Sequence, residues 1–261
     1  MSSRDKIIRY YRASGEAELA GRLIDMAEGA SRSGRYRISE FLDPHGCTVA
    51  ETVIAHYPGL RLETEGGYGG AERVKTAFVE YDFGGSIDFG LTAAKIKWDE
   101  RHYSLSHRDV LGSLMGLGIK RELFGDIIMQ ENGCFVVADA AMATYIIQNL
   151  TTIGAATVSI SSAELSDIPA REEKIKEIRA TVASLRLDSV AAAGFGLSRS
   201  KMASEIEAAK LKVNWQPAKG VTQIVAAGDT ISMRGRGRLE VCEITGQTRK
   251  GRISILLRRY Y

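Results

Sequence analysis

The stretch from residue 184 to residue 233 constrains the fold of this 261-residue chain most, because helix and strand signals follow one another there at short intervals. Asp188 is placed to cap a short helix, and Ser198 is placed to cap a second one. Residues 211–216 then alternate apolar and polar side chains, which is the period of a strand. A Gly-Asp turn follows and leads into a returning strand.

Basic residues gather at the start of the second predicted helix. Arg199 and Lys201 lie in its first turn, where the backbone N–H groups and the helix dipole favour an anion. Two cations at this point predict a phosphate site. Further positive charge nearby comes from Arg186, Lys210 and Lys212. Trp215 offers a flat face for a base or a ribose, and the alternative is that it fills the core.

Arginines recur at every second position after this stretch, at Arg234, Arg236 and Arg238. In a strand they would form a basic row on one face, along which phosphates could lie. A final hairpin is predicted over residues 239–261. The tip of that hairpin is basic and contains Arg249, Lys250 and Arg252.

The net charge of +3 hides an uneven distribution of charge along the chain. Residues 184–261 contain 14 Lys and Arg and 6 Asp and Glu, a balance of +8. The rest of the chain contains 21 basic and 26 acidic residues, a balance of −5. Basic charge concentrated in one terminal region is typical of a protein that binds nucleic acid.

The chain is predicted to be an α+β protein with three domains and a linker. These are a mainly helical domain at 1–70, a second domain at 71–165, a linker at 166–183 that is in part helix or strand, and a C-terminal domain at 184–261. In the first domain, residues 31–37 are predicted to be a solvated loop, with an RNA contact as the alternative because three arginines lie there. Asp43 and Pro44 predict the start of a helix. Residues 66–70 are glycine-rich and predict a hinge between the first two domains.

From Leu91 onwards the second domain has the predicted order βαββαβ, which is that of the ferredoxin-like or RRM-type sandwich. Residues 133–137 resemble part of the RNA-contacting strand of an RRM, but most of the stacking aromatics of that motif are missing. A scaffold role is therefore favoured over RNA binding on the sheet face. Lys120 and Arg121 either reach phosphate or belong to a tight helix-to-strand connection.

Several classes of protein are excluded by the residue patterns. No run approaches the ~18 apolar residues of a membrane helix, and the N-terminus lacks the apolar core of a secretory signal. Three scattered cysteines predict a reducing compartment and no disulfide framework. His102 and His107 lack enough converging ligands for a metal site, so neither a metal nor a cofactor is predicted.

The C-terminal stretch resembles the S4 RNA-binding domain. The resemblance rests on Arg186-Leu187-Asp188, Gly196-Leu197-Ser198-Arg199-Ser200, Val213-Asn214 and the closing Gly228-Asp229, in matching order and spacing. The chain departs from many S4 domains at Ala203 and Ser204, where arginines are common, and at Trp215, where glycine is usual. The resemblance implies RNA contacts by Arg186, Ser198, Arg199, Ser200, Lys201, Lys210, Lys212, Asn214 and Trp215, with Arg234, Arg236 and Arg238 beside them.

Nearly the whole chain resembles the YlmH family of S4 proteins, also known as photosystem II S4 domain proteins in photosynthetic organisms. The resemblance rests on residues 41–44, 66–73, 107–126, 184–188 and 213–215. It implies an N-terminal helical domain, an RRM-like middle domain and a C-terminal S4 domain. It also implies a cytoplasmic protein that binds ribosomal RNA and transfer RNA on the large (50S) ribosomal subunit, linked to rescue of stalled ribosomes.

The sequence therefore predicts a non-catalytic RNA-binding protein, with no membrane and no DNA among its partners. One rival is an RNA-modifying enzyme of the pseudouridine synthase kind, because Arg186-Leu187-Asp188 is similar to a catalytic Arg-Leu-Asp. No second copy of that motif and no Rossmann-type glycine-rich loop accompany it. A third hypothesis is a protein adaptor in cell division or photosystem assembly.

Overall fold

The computed structural model describes residues 3–12, 15–169, 175–248 and 251–260. The chain forms two units, Met1–Arg171 and Glu172–Tyr261. Both contain helices and antiparallel sheets, so the predicted α+β class is confirmed. Within the described residues, every helix is too short or too polar to cross a membrane.

The first part of the N-terminal unit packs helices against a small antiparallel sheet. Its elements are α1 (Ser3–Arg12), α2 (Ala17–Ser33), β1 (Tyr36–Leu42), α3 (Pro44–Ile54), β2 (Leu60–Glu65) and β3 (Val74–Glu80). The strand order is β1-β3-β2. Asp43 caps α3 as predicted, since its carboxylate accepts a hydrogen bond from the Gly46 N–H at 2.8 Å.

Two expectations for this part of the chain are corrected by the structure. Residues 36–42 form β1, whereas the sequence predicted a solvated loop as far as residue 37 and no strand before the helix that starts at Asp43 and Pro44. The predicted domain boundary at residue 70 is also too early, because β3 pairs with both β1 and β2. The period of a strand identifies the strand but not the partner with which it forms hydrogen bonds.

The second part of the N-terminal unit has the predicted order βαββαβ. Its main elements are β4 (Leu91–Lys97), α4 (His107–Gly116), β5 (Phe124–Gln130), β6 (Gly133–Asp139), α5 (Ala140–Asn149), the short strands β7 (Thr152–Ile153) and β8 (Ala156–Thr157), and β9 (Ser159–Ala163). The order of strands in the main sheet is β5-β6-β4-β9. One face of this sheet packs against α4 and α5, with Ile96, Val136 and Ile146 in the core between them.

The C-terminal unit is an antiparallel sheet with helices on one face. Its elements are β10 (Ile175–Val182), α6 (Leu187–Phe195), α7 (Arg199–Glu207), β11 (Leu211–Val213), β12 (Gln216–Pro217), β13 (Thr230–Met233), β14 (Gly237–Gln247) and β15 (Ile253–Tyr260). The strand order is β10-β15-β14-β13-β11-β12. Phe195, Met202, Leu239 and Leu257 are among the buried residues of the core between helices and sheet.

The structure revises the predicted linker at 166–183. Residues 175–182 form β10, which pairs along its whole length with β15 of the final hairpin. This segment therefore belongs to the C-terminal sheet. Its sequence mixes charged and apolar residues because β10 is an edge strand with several exposed side chains.

Candidate nucleic-acid interface

Asp188 lies between the two arginines that the sequence singled out. Its Oδ1 accepts a hydrogen bond from Arg186 Nε at 3.2 Å, and its Oδ2 accepts one from Arg199 Nη2 at 2.6 Å. The Asp188 side chain is only 7% exposed. Burial would raise the pKa of Asp188, but the hydrogen bonds from Arg199 and Arg186 more than offset it, so this pKa lies below its ordinary value.

The position of Asp188 differs from the prediction. It was expected to cap α6, but Arg186 occupies the N-cap position, without a capping hydrogen bond from its side chain, and Asp188 lies in the first turn of the helix. There its carboxylate binds side chains from both helices of the unit. Arg186 precedes α6 and Arg199 begins α7, so Asp188 sets the positions of both guanidinium groups.

The N-terminus of α7 is capped as predicted. The Ser198 hydroxyl accepts a hydrogen bond from the Lys201 N–H at 3.2 Å, and the hydroxyls of Ser198 and Ser200 are 3.2 Å apart. The Arg199 side chain is 52% exposed and that of Lys201 is 61% exposed. The structure therefore brings two exposed cations, two hydroxyls and the positive end of a helix dipole to one place.

Glu205 joins two more of the predicted cations. Its carboxylate lies 2.6 Å from Lys210 Nζ and 3.5 Å from Lys201 Nζ. The hydrogen bond from Lys210 is the main reason why the pKa of Glu205 lies below its ordinary value. Four cations of this surface are thus held in pairs, each pair by one carboxylate. We call this group the cation cluster, and it consists of Arg186, Asp188, Arg199, Lys201, Glu205 and Lys210.

Asn214 and Trp215 form a two-residue turn between β11 and β12. Both have left-handed backbones, with φ of 49° and 63°. The Asn214 side chain donates to Asp229 Oδ1 at 2.8 Å and accepts from the Thr230 N–H at 2.9 Å, so it holds the turn to β13. The left-handed conformation costs an ordinary residue such as Trp215 about 1 kcal/mol relative to glycine. Lys212, two residues before Asn214, is exposed.

The predicted basic row of arginines is not formed on a strand. Residues 234–236 make the tight turn between β13 and β14, and only Arg238 lies in a strand. Its guanidinium lies 4.4 Å from the centroid of the Tyr260 ring. The glycine between Arg234 and Arg236 explains the difference, because Gly235 has φ of 78° and bends the chain there. Arg249 and Lys250 of the predicted basic tip lie outside the described residues.

The middle sheet offers little aromatic surface for bases. Phe135, the aromatic of its central strand β6, is 4% exposed and lies under the Lys95 ammonium at 5.1 Å from the ring centroid. Phe41 and Ile168 belong to the same apolar cluster on this face. The face of this sheet away from α4 and α5 is packed with apolar side chains of the N-terminal unit itself.

Arg121 belongs to the helix-to-strand connection. Its guanidinium donates to the carbonyls of Phe124 and Gly125, both at 2.8 Å, and lies over the Phe124 ring. Burial lowers the pKa of Arg121 to about 10. Nearby contacts join residues 66–73 to residues 117–126, since the Tyr68 hydroxyl and the Glu72 N–H both donate to Asp126 Oδ2. Residues 66–73 and 117–126 therefore hold the unit together.

The anions of the interface were not singled out as binding or positioning residues from the sequence. Glu205 lies four residues after Lys201 on one helix, a spacing that could have revealed the pair. The contact between Asp188 and Arg199 joins two helices and has no such signal. Among the described residues, no group of three or more His, Cys, Asp and Glu side chains is placed to hold a metal ion.

Comparisons with known proteins agree with this architecture. Residues 15–83 match a family model described as "YlmH, N-terminal", and residues 85–167 match one described as "Putative RNA-binding domain in YlmH". A relative from Bacillus subtilis (strain 168), "Ribosome-associated protein quality control protein P2", is 36% identical over 228 residues, which are 86% of this chain and 88% of that protein. The chain belongs to the YlmH family.

A solved YlmH structure supports the fold. "Cell division protein ylmH from Streptococcus pneumoniae" is 21% identical, has a TM-score of 0.50, and covers 59% of this chain and 93% of its own. The division between the YlmH models, after residue 83, falls just beyond β3. This agrees with the strand pairing, which places β3 in the first sheet.

Proposed function

We propose that this YlmH protein is a non-catalytic RNA-binding protein of the cytoplasm. It binds ribosomal RNA and transfer RNA on the large ribosomal subunit and takes part in the rescue of stalled ribosomes. The observation that carries the RNA-binding proposal is the cation cluster, in which Asp188 positions Arg186 and Arg199 beside the start of α7. The Bacillus relative is named as a ribosome-associated protein, which supports the ribosomal part of the proposal.

Phosphate binding follows from the geometry of the cluster. Arg199 uses Nη2 for Asp188, and its guanidinium, half exposed, has further N–H donors for a phosphate oxygen. Lys201 adds a second exposed cation in the same helical turn. The helix N-terminus contributes its dipole and the N–H groups of its first turn. An RNA backbone bound here would therefore release counterions and bind less tightly as salt rises.

In this proposal the C-terminal unit is the S4 domain, and the βαββαβ part of the N-terminal unit is an RRM-like scaffold. The remaining predicted contacts come from Lys212, Asn214, Trp215, Arg234, Arg236 and Arg238. The contacts of Asp188 support a structural role for Arg186-Leu187-Asp188 over a catalytic one. A carboxylate whose two oxygens each accept a hydrogen bond from an arginine, and whose pKa is lowered, is a weak nucleophile and a weak base.

Sucrose-gradient sedimentation of the tagged full-length protein from a cell lysate tests the proposal. We expect co-migration with the large subunit or the whole ribosome at low salt, and release to the top of the gradient at high salt. A protein that stays at the top at low salt, in lysates both with and without stalled ribosomes, would contradict the ribosomal part. Treatment of the lysate with ribonuclease should also release the protein, whereas a protein adaptor would stay with its partner.

A further inference from the structure

The turn at Asn214 and Trp215 contains a residue that suits it poorly. Lys212 pairs with Pro217 and Val213 with Gln216, so these two residues are the whole loop of the hairpin. Both have positive φ, as in a type I′ turn. Such turns favour Asn followed by Gly, because glycine adopts the second left-handed conformation without a clash. Asn214 fits this preference, whereas Trp215 does not.

Packing into the core does not explain why a tryptophan occupies position 215. The apolar cluster of the C-terminal unit extends from Val182 to Leu257, and within the described residues Trp215 is not a member of it. Its side chain is partly exposed, and its neighbours Lys212 and Asn214 are exposed. A large aromatic residue thus lies on the surface in a backbone conformation that disfavours it. Strain of this kind occurs where the side chain itself is needed.

We propose that Trp215 is a stacking residue that receives an unpaired nucleobase of the bound RNA. This inference rests on the proposed function and adds the chemical class that the hairpin recognises. An indole face stacks on any base, and the exposed ammonium of Lys212 can bind the adjoining phosphate. Within a duplex each base is already stacked on its neighbours, so the ligand must present a base outside a helix.

Two variants separate stacking from the structure of the turn. Trp215→Gly removes the ring and relieves the left-handed strain, so it should fold and unfold at the wild-type temperature or above. Trp215→Phe keeps an aromatic face in the same backbone. The chain has two tryptophans, and Trp98 is 8% exposed in the N-terminal unit, so the emission that Trp215→Phe removes reports on Trp215 alone.

The full-length proteins are titrated with unfractionated bacterial tRNA, which has both stems and unpaired loop bases, and with a blunt RNA duplex of similar length. We expect Trp215→Gly to bind tRNA about tenfold more weakly, with the same dependence on salt, because stacking carries no charge. Binding to the duplex should not change. Trp215→Phe should bind tRNA within about threefold of wild type. The Trp215 emission of the wild-type protein should be quenched by tRNA.

Tight tRNA binding by Trp215→Gly, equal weakening of both variants, or unchanged Trp215 emission at saturating tRNA would each overturn the stacking role. These outcomes leave the proposed function intact if wild-type binding still depends on salt. Failure of the wild-type chain to bind either RNA overturns both the stacking role and the RNA-binding function. The two failures are therefore distinguishable.

Discussion

Arg199 Nη2 lies 2.6 Å from Asp188 Oδ2, on a carboxylate that also accepts a hydrogen bond from Arg186. Side chains from the starts of two helices are thereby fixed around one nearly buried acid. The pairing has two consequences, since it stabilises the contact between α6 and α7 and it limits the directions in which both guanidinium groups can point.

Asp188→Asn should destabilise the C-terminal unit by about 2 kcal/mol, because it removes the charge between two arginines and replaces an acceptor with an NH₂ donor. Urea denaturation followed by circular dichroism measures the change. Glu207→Gln, on the exposed side of α7, is the control and should stay within about 0.5 kcal/mol of wild type. Equal midpoints for Asp188→Asn and wild type would show that the pair adds nothing to stability.

The stability of the C-terminal unit should also depend on pH, because Asp188 becomes protonated in acid. Its pKa is lowered in the folded protein, while an unfolded aspartate titrates near 3.9. The stabilisation is therefore present above that pH and is lost as the pH falls through the lower folded pKa. The difference in melting temperature between wild type and Asp188→Asn should be largest near about pH 6 and should shrink below about pH 4. A difference that grows on acidification would contradict this account.

Glu205→Gln should tighten RNA binding. The substitution frees Lys201 and Lys210 from the carboxylate that now holds them and adds one net positive charge to the interface. We expect affinity for tRNA to rise about two- to threefold at low salt and the gain to fade as salt is added. Glu207→Gln removes the same charge from the same helix and should have a smaller effect. Weaker binding by Glu205→Gln would show that the carboxylate positions the lysines for RNA.

Arg121→Ala should lower the stability of the N-terminal unit by about 2–3 kcal/mol, since two backbone carbonyls lose their donor and the Phe124 ring loses its cover. Its neighbour Lys120 is exposed, and Lys120→Ala should unfold like wild type. Thermal melts compare the two variants. RNA affinity of the folded Arg121→Ala protein should stay within about twofold of wild type, and a larger loss would place RNA at this connection.

Local patterns predicted much of the fold. The caps at Asp43 and Ser198 and the βαββαβ order of the middle part are set by neighbouring residues, and the structure contains them. The pairing partners of the strands were harder to predict from the sequence. The assignment of β3 to the first sheet and of β10 to the last depends on residues far away in the chain. Those pairings decide where the domain boundaries fall, so local patterns in the sequence could not locate the boundaries.

In the candidate site, too, local patterns predicted some features, whereas features that depend on distant residues were not predicted. Its cations could be chosen from the sequence because basic residues at a helix start have a local meaning. Asp188 was assigned a capping role, since its bond to Arg199 appears only when α6 and α7 are packed together. The strain at Trp215 could not be predicted from the sequence, because it is recognised only from the backbone φ angle of the turn. RNA contacts by these residues remain predictions.

The most direct test of the central claim measures the RNA affinity of Arg199→Ala with Lys201→Ala over a range of salt concentrations. Lys176→Ala with Arg179→Ala is the matched control, since it removes equal charge from β10, at the opposite edge of the same sheet from β11 and β12. We predict that the Arg199/Lys201 variant binds tRNA at least tenfold more weakly, with a salt slope reduced by about one to two, while the control binds like wild type. Wild-type affinity and salt slope in the Arg199/Lys201 variant, or equal losses in both variants, would contradict the claim that the cation cluster holds the RNA backbone.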